Sequence, residues 1–237
     1  MTIAKQSLEE AGFQIFENVF SHGEADALIS LIEQCDQSAP SFRNAGQLFA
    51  IRYFLQVLPQ ASPLIWNTNL LALVNQICGK GYFVVKSVYF DKPPLSNWLV
   101  PMHQDLTISI SHKHDAPGFH GWTQKEGLLS VQAPAAVLEQ IYTIRIHLDD
   151  CDESNGALQV IPGSHKNGVI RPEKKDLSAK RTICPVRKGG VMIMKPLLLH
   201  ASAKSTSEKQ RRLIHIEICN VFLPDKLEWR ERSELPL

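Results

Sequence analysis

The stretch VPMHQDLTISI, residues 100–110, sets His103 and Asp105 two positions apart. Side chains of a β-strand alternate between faces, so His103, Asp105, Thr107 and Ser109 are expected on one side and Leu106, Ile108 and Ile110 on the other. An imidazole nitrogen beside a carboxylate oxygen supplies two corners of a 2-His-1-carboxylate site, a donor set that suits iron(II) and leaves coordination positions open. The same spacing recurs at His147/Asp149 and His215/Glu217, and spacing alone does not choose among the pairs. The missing corner is a histidine from a facing strand, and His200, directly after the apolar VMIMKPLLL, is the candidate. Past the polar turn in HASAKSTSEKQRR, Arg211 opens the next β-type run, where its guanidinium can form a bidentate pair with a carboxylate. That arrangement suits a dicarboxylate cosubstrate.

The elements that must hold these residues change character along the chain. SHGEADALISLIEQCDQ (21–37) begins with Ser21 as N-cap and Glu24 three residues on, and places Ala27, Leu28, Leu31 and Ile32 at helical spacing. ASPLIWNTNLLALVNQICGKG (61–81) repeats the pattern and closes on Gly79, a helix stop. From residue 82 the period shortens: 82–90, 102–110, 141–150, 157–163, 189–196 and 212–222 read as short strands divided by turn-rich segments. In 141–150, Tyr142, Ile144, Ile146 and Leu148 oppose Thr143, Arg145, His147 and Asp149; in 211–219, Ile214, Ile216 and Ile218 oppose Arg211, His215 and Glu217. A solvated outer face explains one such strand, but histidines and carboxylates repeated on several converge on a cavity. Helices followed by strands give an antiparallel sandwich or barrel with helices packed against one sheet. Segment 111–140 is too long for an ordinary connection and reads as a lid loop over the mouth, bringing Trp122 toward a substrate.

Composition narrows the function classes. Lys+Arg 25 against Asp+Glu 24 gives a net charge of +1, no electrostatic reason to expect nucleic acid or an anionic membrane. The 5 cysteines are dispersed and form no CxxC pair, which points away from a disulfide framework or zinc knuckle. The amino-terminal stretch MTIAKQSLEEAGFQIF lacks the apolar run of a signal peptide. A cytoplasmic protein of one domain over 1–237 is expected, with 1–81 mainly helical support and 82–222 the β core. Oligomeric state is not readable.

The blocks HQD (103–105), LDDCDESNGALQVIPGSHKNG (148–168) and HASAKSTSEKQRR (200–212) resemble, in order, the signature blocks of the phytanoyl-CoA dioxygenase family of iron(II)/2-oxoglutarate oxygenases. The likeness runs from GFQIFENVFSHGEADAL to about residue 222. It implies a mainly β double-stranded β-helix, jelly-roll and cupin-like, with the helices on its major sheet. It also implies His103, Asp105 and His200 as iron ligands, Arg211 on the distal carboxylate of 2-oxoglutarate, and Ser202, from the family's HxS, on the same carboxylate. The reaction implied is hydroxylation of a small molecule with O2, releasing succinate and carbon dioxide, with ascorbate keeping iron reduced. Asp105 favours hydroxylation, because halogenating relatives carry a small residue there. Two departures stand out: Arg145 occupies a position often aromatic in related members, and Ala201 replaces the usual glycine. Arg145 and His147 face inward, and a cation paired to Glu217 would explain them structurally; Lys86 and Arg52 are further candidates to meet an anion. His112, His114 and His120 fit no strict ligand pattern. The alternatives are a non-catalytic metabolite-binding barrel or a cupin-type metal enzyme without 2-oxoglutarate, which has no need of Arg211.

Overall fold

The computed structural model describes residues 3–35, 42–44, 48–125, 127–171, 179–224 and 226–236. Alternation along two central strands sets the layering. Tyr142, Ile144 and Ile146 of strand Tyr142–His147, and Ile214, Ile216 and Ile218 of strand Arg211–Cys219, join one buried cluster with Leu28, Ile32, Leu70, Val74 and Ile77 of the helices. Fully burying one such aliphatic side chain contributes about 1.5–3 kcal/mol, so the outer face of the sheet and its helices stabilise each other. The opposite face of the same strands carries Thr143, Arg145, His147, His215 and Glu217, all buried, toward the interior.

The large antiparallel sheet runs in the order Phe13–Phe16, Val191–Met194, Tyr142–His147, Arg211–Cys219, Phe83–Lys92, Leu48–Arg52, Phe42–Asn44, with Ser233–Glu234 also pairing Phe83–Lys92. The smaller sheet runs Thr182–Cys184, Leu158–Val160, His200–Ser202, Val100–His103. Leu158 and Val160 from one sheet meet Met192 and Met194 from the other in a second apolar cluster, which joins the inner faces. These are the major and minor sheets of a double-stranded β-helix, with helices on the major sheet.

Helix His22–Glu33 starts as its sequence requires: the Ser21 hydroxyl accepts from the Glu24 amide at 3.2 Å, and the Glu24 carboxylate accepts from the Ser21 amide at 2.7 Å. Residues 36 and 37 of that predicted helix lie outside the described residues. The single helix expected over 61–81 is instead two, Ser62–Ile65 and Thr68–Cys78, because extended Asn67 caps the second by accepting from the Leu70 amide at 2.8 Å. Within 1–81, beside the helices, strands Phe13–Phe16, Phe42–Asn44 and Leu48–Arg52 extend the major sheet, which the sequence pattern did not show.

The predicted lid loop is folded. Strands His120–Lys125 and Leu128–Gln132 form a hairpin, Thr107–Ser109 pairs with the second, and helix Ala135–Leu138 follows. Its apolar residues Phe119, Val131, Val137 and Leu138 bury against Phe83, Val85, Ile108, Ile110 and Trp229. Hydrophobic burial therefore gives regular structure to a segment whose length alone read as a loop. Among the described residues no helix is long and apolar enough to cross a membrane.

Candidate metal centre

The strand expected over 102–110 is interrupted at the residues that matter. Val100–His103 belongs to the minor sheet, where His103 stands opposite His200, whereas Thr107–Ser109 belongs to the three-stranded sheet. Between them the chain leaves the ladder. The Asp105 amide donates to the Pro196 carbonyl at 2.9 Å. The buried Gln104 side chain donates to the carbonyls of Leu197 at 2.6 Å and Gly168 at 2.8 Å, and accepts from the Ile170 amide at 2.8 Å. His103 and Asp105 thus come together through a bend pinned by Gln104, not through the pleat of one strand. Sequence reasoning missed Gln104, although the signal was present: alternation places this amide on the apolar side with Leu106, Ile108 and Ile110.

Three donors converge. The His103 and His200 rings lie 4.2 Å apart between centroids. Their Nε2 atoms stand 3.4 and 3.6 Å from the two Asp105 carboxylate oxygens, and one ligand atom from each residue falls within 4.8 Å of the others. Each imidazole is oriented from behind: Nδ1 of His103 donates to the Pro101 carbonyl at 2.8 Å and Nδ1 of His200 to that of Leu198 at 2.9 Å. A carbonyl only accepts, so the proton sits on Nδ1 and the Nε2 lone pair faces Asp105. Burial pushes the His200 pKa down to about 4 despite the attraction of Asp105, which keeps the ring neutral at neutral pH. Burial opposes the charge on Asp105, but the His200 and His103 imidazoles, protonated in the acid range where a carboxylate titrates, and the Lys86 ammonium hold its pKa well below the usual carboxylate range.

The competing pairs have other engagements. Asp149 forms a bidentate pair with Arg212, 2.8 Å from each oxygen, and Arg212 also reaches Glu33 of helix His22–Glu33 at 3.0 Å. His147 stays inside, both ring nitrogens buried without a partner among the described residues, its pKa driven well down by burial and by Arg145 and Arg211. His215 and Glu217 do come within 4.8 Å of Asp105, but their polar atoms are taken. Arg145 donates to His215 Nδ1 at 3.3 Å, His215 Nε2 donates to Glu217 at 3.2 Å, and Lys86 donates to the same Glu217 oxygen at 2.7 Å. The expected Arg145–Glu217 pair is therefore replaced by a relay through His215, and Lys86 is the cation on Glu217.

Arg211 lies beside the triad. It is 4% exposed, donates to the Gly156 carbonyl at 2.8 Å, and keeps its Nε buried without a partner among the described residues. Ser202 donates to the same carbonyl at 2.9 Å, so its hydroxyl proton is directed at the backbone and not freely into the cavity. Gly156 has φ +85°, and a Cβ there would stand 2.6 Å from the Ala203 carbonyl oxygen, so the turn that presents this acceptor requires glycine. A cavity of about 110 Å³ is bounded by His103, Asp105, His200, Arg145, Arg211 and Ser202, with Phe90, Trp98 and Leu158 completing its apolar wall. Trp122 is not at this wall: it packs on the apolar cluster of the hairpin, with the Lys113 ammonium 5.6 Å from its ring. Arg52 and Lys86 line a second cavity of about 200 Å³ together with Thr107, Ser109, Ser130 and Glu231. His112 and His120 are exposed and His114 is half-buried.

Two imidazole nitrogens and an ionised carboxylate on one side of a small cavity fit iron(II), and the unmet buried Nε of Arg211 fits a carboxylate partner. The comparisons agree in fold and family. EctD from S. alaskensis, solved with 2-oxoglutarate and 5-hydroxyectoine, superposes with a TM-score of 0.71 at 16% identity, covering 93% of this chain and 77% of that one. AviO1 from Streptomyces viridochromogenes superposes with a TM-score of 0.65 at 18% identity over 94% of this chain and 96% of its own. Phytanoyl-CoA dioxygenase domain-containing protein 1 of Danio rerio is 26% identical over 192 residues, 73% of this chain and 55% of the relative. Ectoine dioxygenase of Bordetella bronchiseptica is 27% identical over 172 residues, 69% of this chain and 49% of the relative. The chain thus spans about half the length of these two relatives. The family model described as phytanoyl-CoA dioxygenase (PhyH) matches residues 8–213, and with most of its length matched, this chain belongs to the phytanoyl-CoA dioxygenase family.

Proposed function

We propose that this protein is an iron(II)- and 2-oxoglutarate-dependent dioxygenase that hydroxylates a small polar molecule. The observation that carries this reading is the meeting of His103, His200 and Asp105, with both Nδ1 protons tied back to carbonyls, next to a buried arginine with an unmet donor. In it, His103, Asp105 and His200 hold iron, and Arg211 holds the distal carboxylate of 2-oxoglutarate. With these bound, the site supplies oxidative decarboxylation of the cosubstrate to succinate and carbon dioxide, coupled to transfer of an oxygen atom from O2 to a substrate C–H bond.

The chain's own contribution is orientation and exclusion of water. Carbonyl-anchored imidazoles need no reorganisation to present Nε2, and the apolar Phe90, Trp98 and Leu158 keep the remaining wall dry. The Lys86–Glu217–His215 relay neutralises the carboxylate nearest Asp105, so that Asp105 alone keeps the ligand role. A small polar substrate is favoured over an acyl-CoA because the second cavity starts at Lys86, holds about 200 Å³, and is walled by hydroxyls of Ser87, Thr107, Ser109, Thr123 and Ser130.

The test is succinate release from 2-oxoglutarate under air with iron(II), ascorbate and an extract of small polar metabolites, alongside calorimetric iron binding. Wild type is expected to do both and Asp105→Ala neither. Iron binding unchanged in Asp105→Ala would overturn the assignment.

A further inference from the structure

A second buried arginine faces the same cavity as Arg211. Arg145 is 8% exposed and lies on strand Tyr142–His147, opposite His215 in register. Its NH1 nitrogen donates to His215 Nδ1 at 3.3 Å, and its Nε is buried without a partner among the described residues. Among the described residues both guanidiniums therefore bond only neutral groups, Arg145 an imidazole nitrogen and Arg211 a carbonyl and the Cys151 thiol. Each keeps an unmet donor, in a cavity too small to dilute their repulsion with much solvent. Burial and the nearness of Arg211 lower the Arg145 pKa to about 10, which still leaves it charged at neutral pH.

Two unpaired buried cations are costly unless a ligand carries two negative charges. Their placement says which end each would take. Arg211 and His215 lie four residues apart on one strand, roughly 13 Å along the sheet, and Arg145 is level with His215. Arg145 is thus on the Asp105 side of the cavity, and Arg211 lies further along the same wall. Between them stands His147, opposite Leu213, neutral and without a partner. The His215–Glu217–Lys86 relay holds the Arg145 fork from one side, which fixes the direction of its unmet donor.

We infer that Arg145 is a second cosubstrate-positioning residue, pairing with the oxo-acid carboxylate of 2-oxoglutarate while Arg211 pairs with the far one. This rests on the 2-oxoglutarate reading above. It explains why a cation stands where related chains often carry an aromatic: the pocket grips the dianion at both ends.

The experiment uses full-length protein loaded with nickel(II), which binds without turnover, and titrates two ligands by calorimetry. 2-Oxoglutarate has both carboxylates, whereas 2-oxobutyrate has only the oxo-acid end. Arg145→Gln is expected to weaken both ligands roughly ten- to hundredfold, the range for a charge-assisted bond. Arg211→Gln is expected to weaken 2-oxoglutarate alike but to leave 2-oxobutyrate within about twofold. Arg145→Lys, which keeps the charge and loses the fork, should fall between wild type and Arg145→Gln, and it serves if the glutamine variant does not fold. Arg145 variants that bind both ligands like wild type, or lose only 2-oxoglutarate, overturn the inference and leave the function standing. Wild type that binds neither ligand overturns the function itself.

Discussion

At the scale of single residues, the site depends on groups that are correct only in one orientation. Gly156 offers its carbonyl to both Arg211 and Ser202 from a backbone at φ +85°. Gly156→Ala should cost about 1–3 kcal/mol through the strained conformation and the clash with the Ala203 carbonyl, read as a lower urea midpoint at unchanged slope. Arg211→Ala should weaken 2-oxoglutarate binding far more than iron binding. Equal loss of both, measured by calorimetry, would contradict its placement on the cosubstrate. These residues were visible in the sequence through their order in the chain: HQD, the NG turn and the H-to-R spacing all precede any knowledge of contacts. Their partners were not, because a carbonyl acceptor such as Gly156 has no side-chain signature.

At the scale of elements, period-2 alternation predicted which face of Tyr142–His147 and Arg211–Cys219 turns inward, since one-sided burial leaves a clear pattern. It failed at 102–110, where a bend held by side-chain bonds replaces the ladder. Gln104 makes three such bonds while buried. Gln104→Ala should therefore destabilise the fold by about 2 kcal/mol or more, because the Leu197, Gly168 and Ile170 groups lose their partner. It should also loosen iron binding, since the same bend aims Asp105. A thermal melt and a metal titration check both effects, and iron affinity equal to wild type would show that the bend is held elsewhere. The break at Asn67 and the hairpin within 111–140 were missed for a related reason: short elements carry too few residues for periodicity to stand out.

At the scale of the whole molecule, the carboxy-terminal segment is tied to the major sheet through Glu231, which accepts from the Ser87 amide at 2.7 Å and from its hydroxyl. Burial raises the Glu231 pKa from 4.5 to about 7, although the Ser87 bonds pull the other way. A carboxyl with a raised folded pKa favours the fold most when protonated. Its contribution is complete below about pH 4.5 and is lost as pH rises through about 7, up to about 3 kcal/mol if the shift is fully expressed. Glu231→Gln should remove this component. Urea unfolding at pH 5 and pH 7.5 should show a smaller loss of stability on raising pH in the variant than in wild type. An identical loss in both would place the titration elsewhere.

What the sequence determined by itself was local and ordered along the chain: the inward faces, the Ser21 cap, the Gly79 stop, and the succession of blocks that marks the family. Each follows from neighbours within a few residues or from a pattern read in one dimension. The tertiary structure decided which of three equally spaced pairs has a free face. That choice depends on Arg212 capturing Asp149 and Lys86 capturing Glu217, contacts between residues 63 and 131 positions apart in the chain. Nothing in the local spacing encodes such competition, because an ion pair forms wherever folding brings opposite charges together, and only the closed pair of sheets brings His200 to His103 and Asp105.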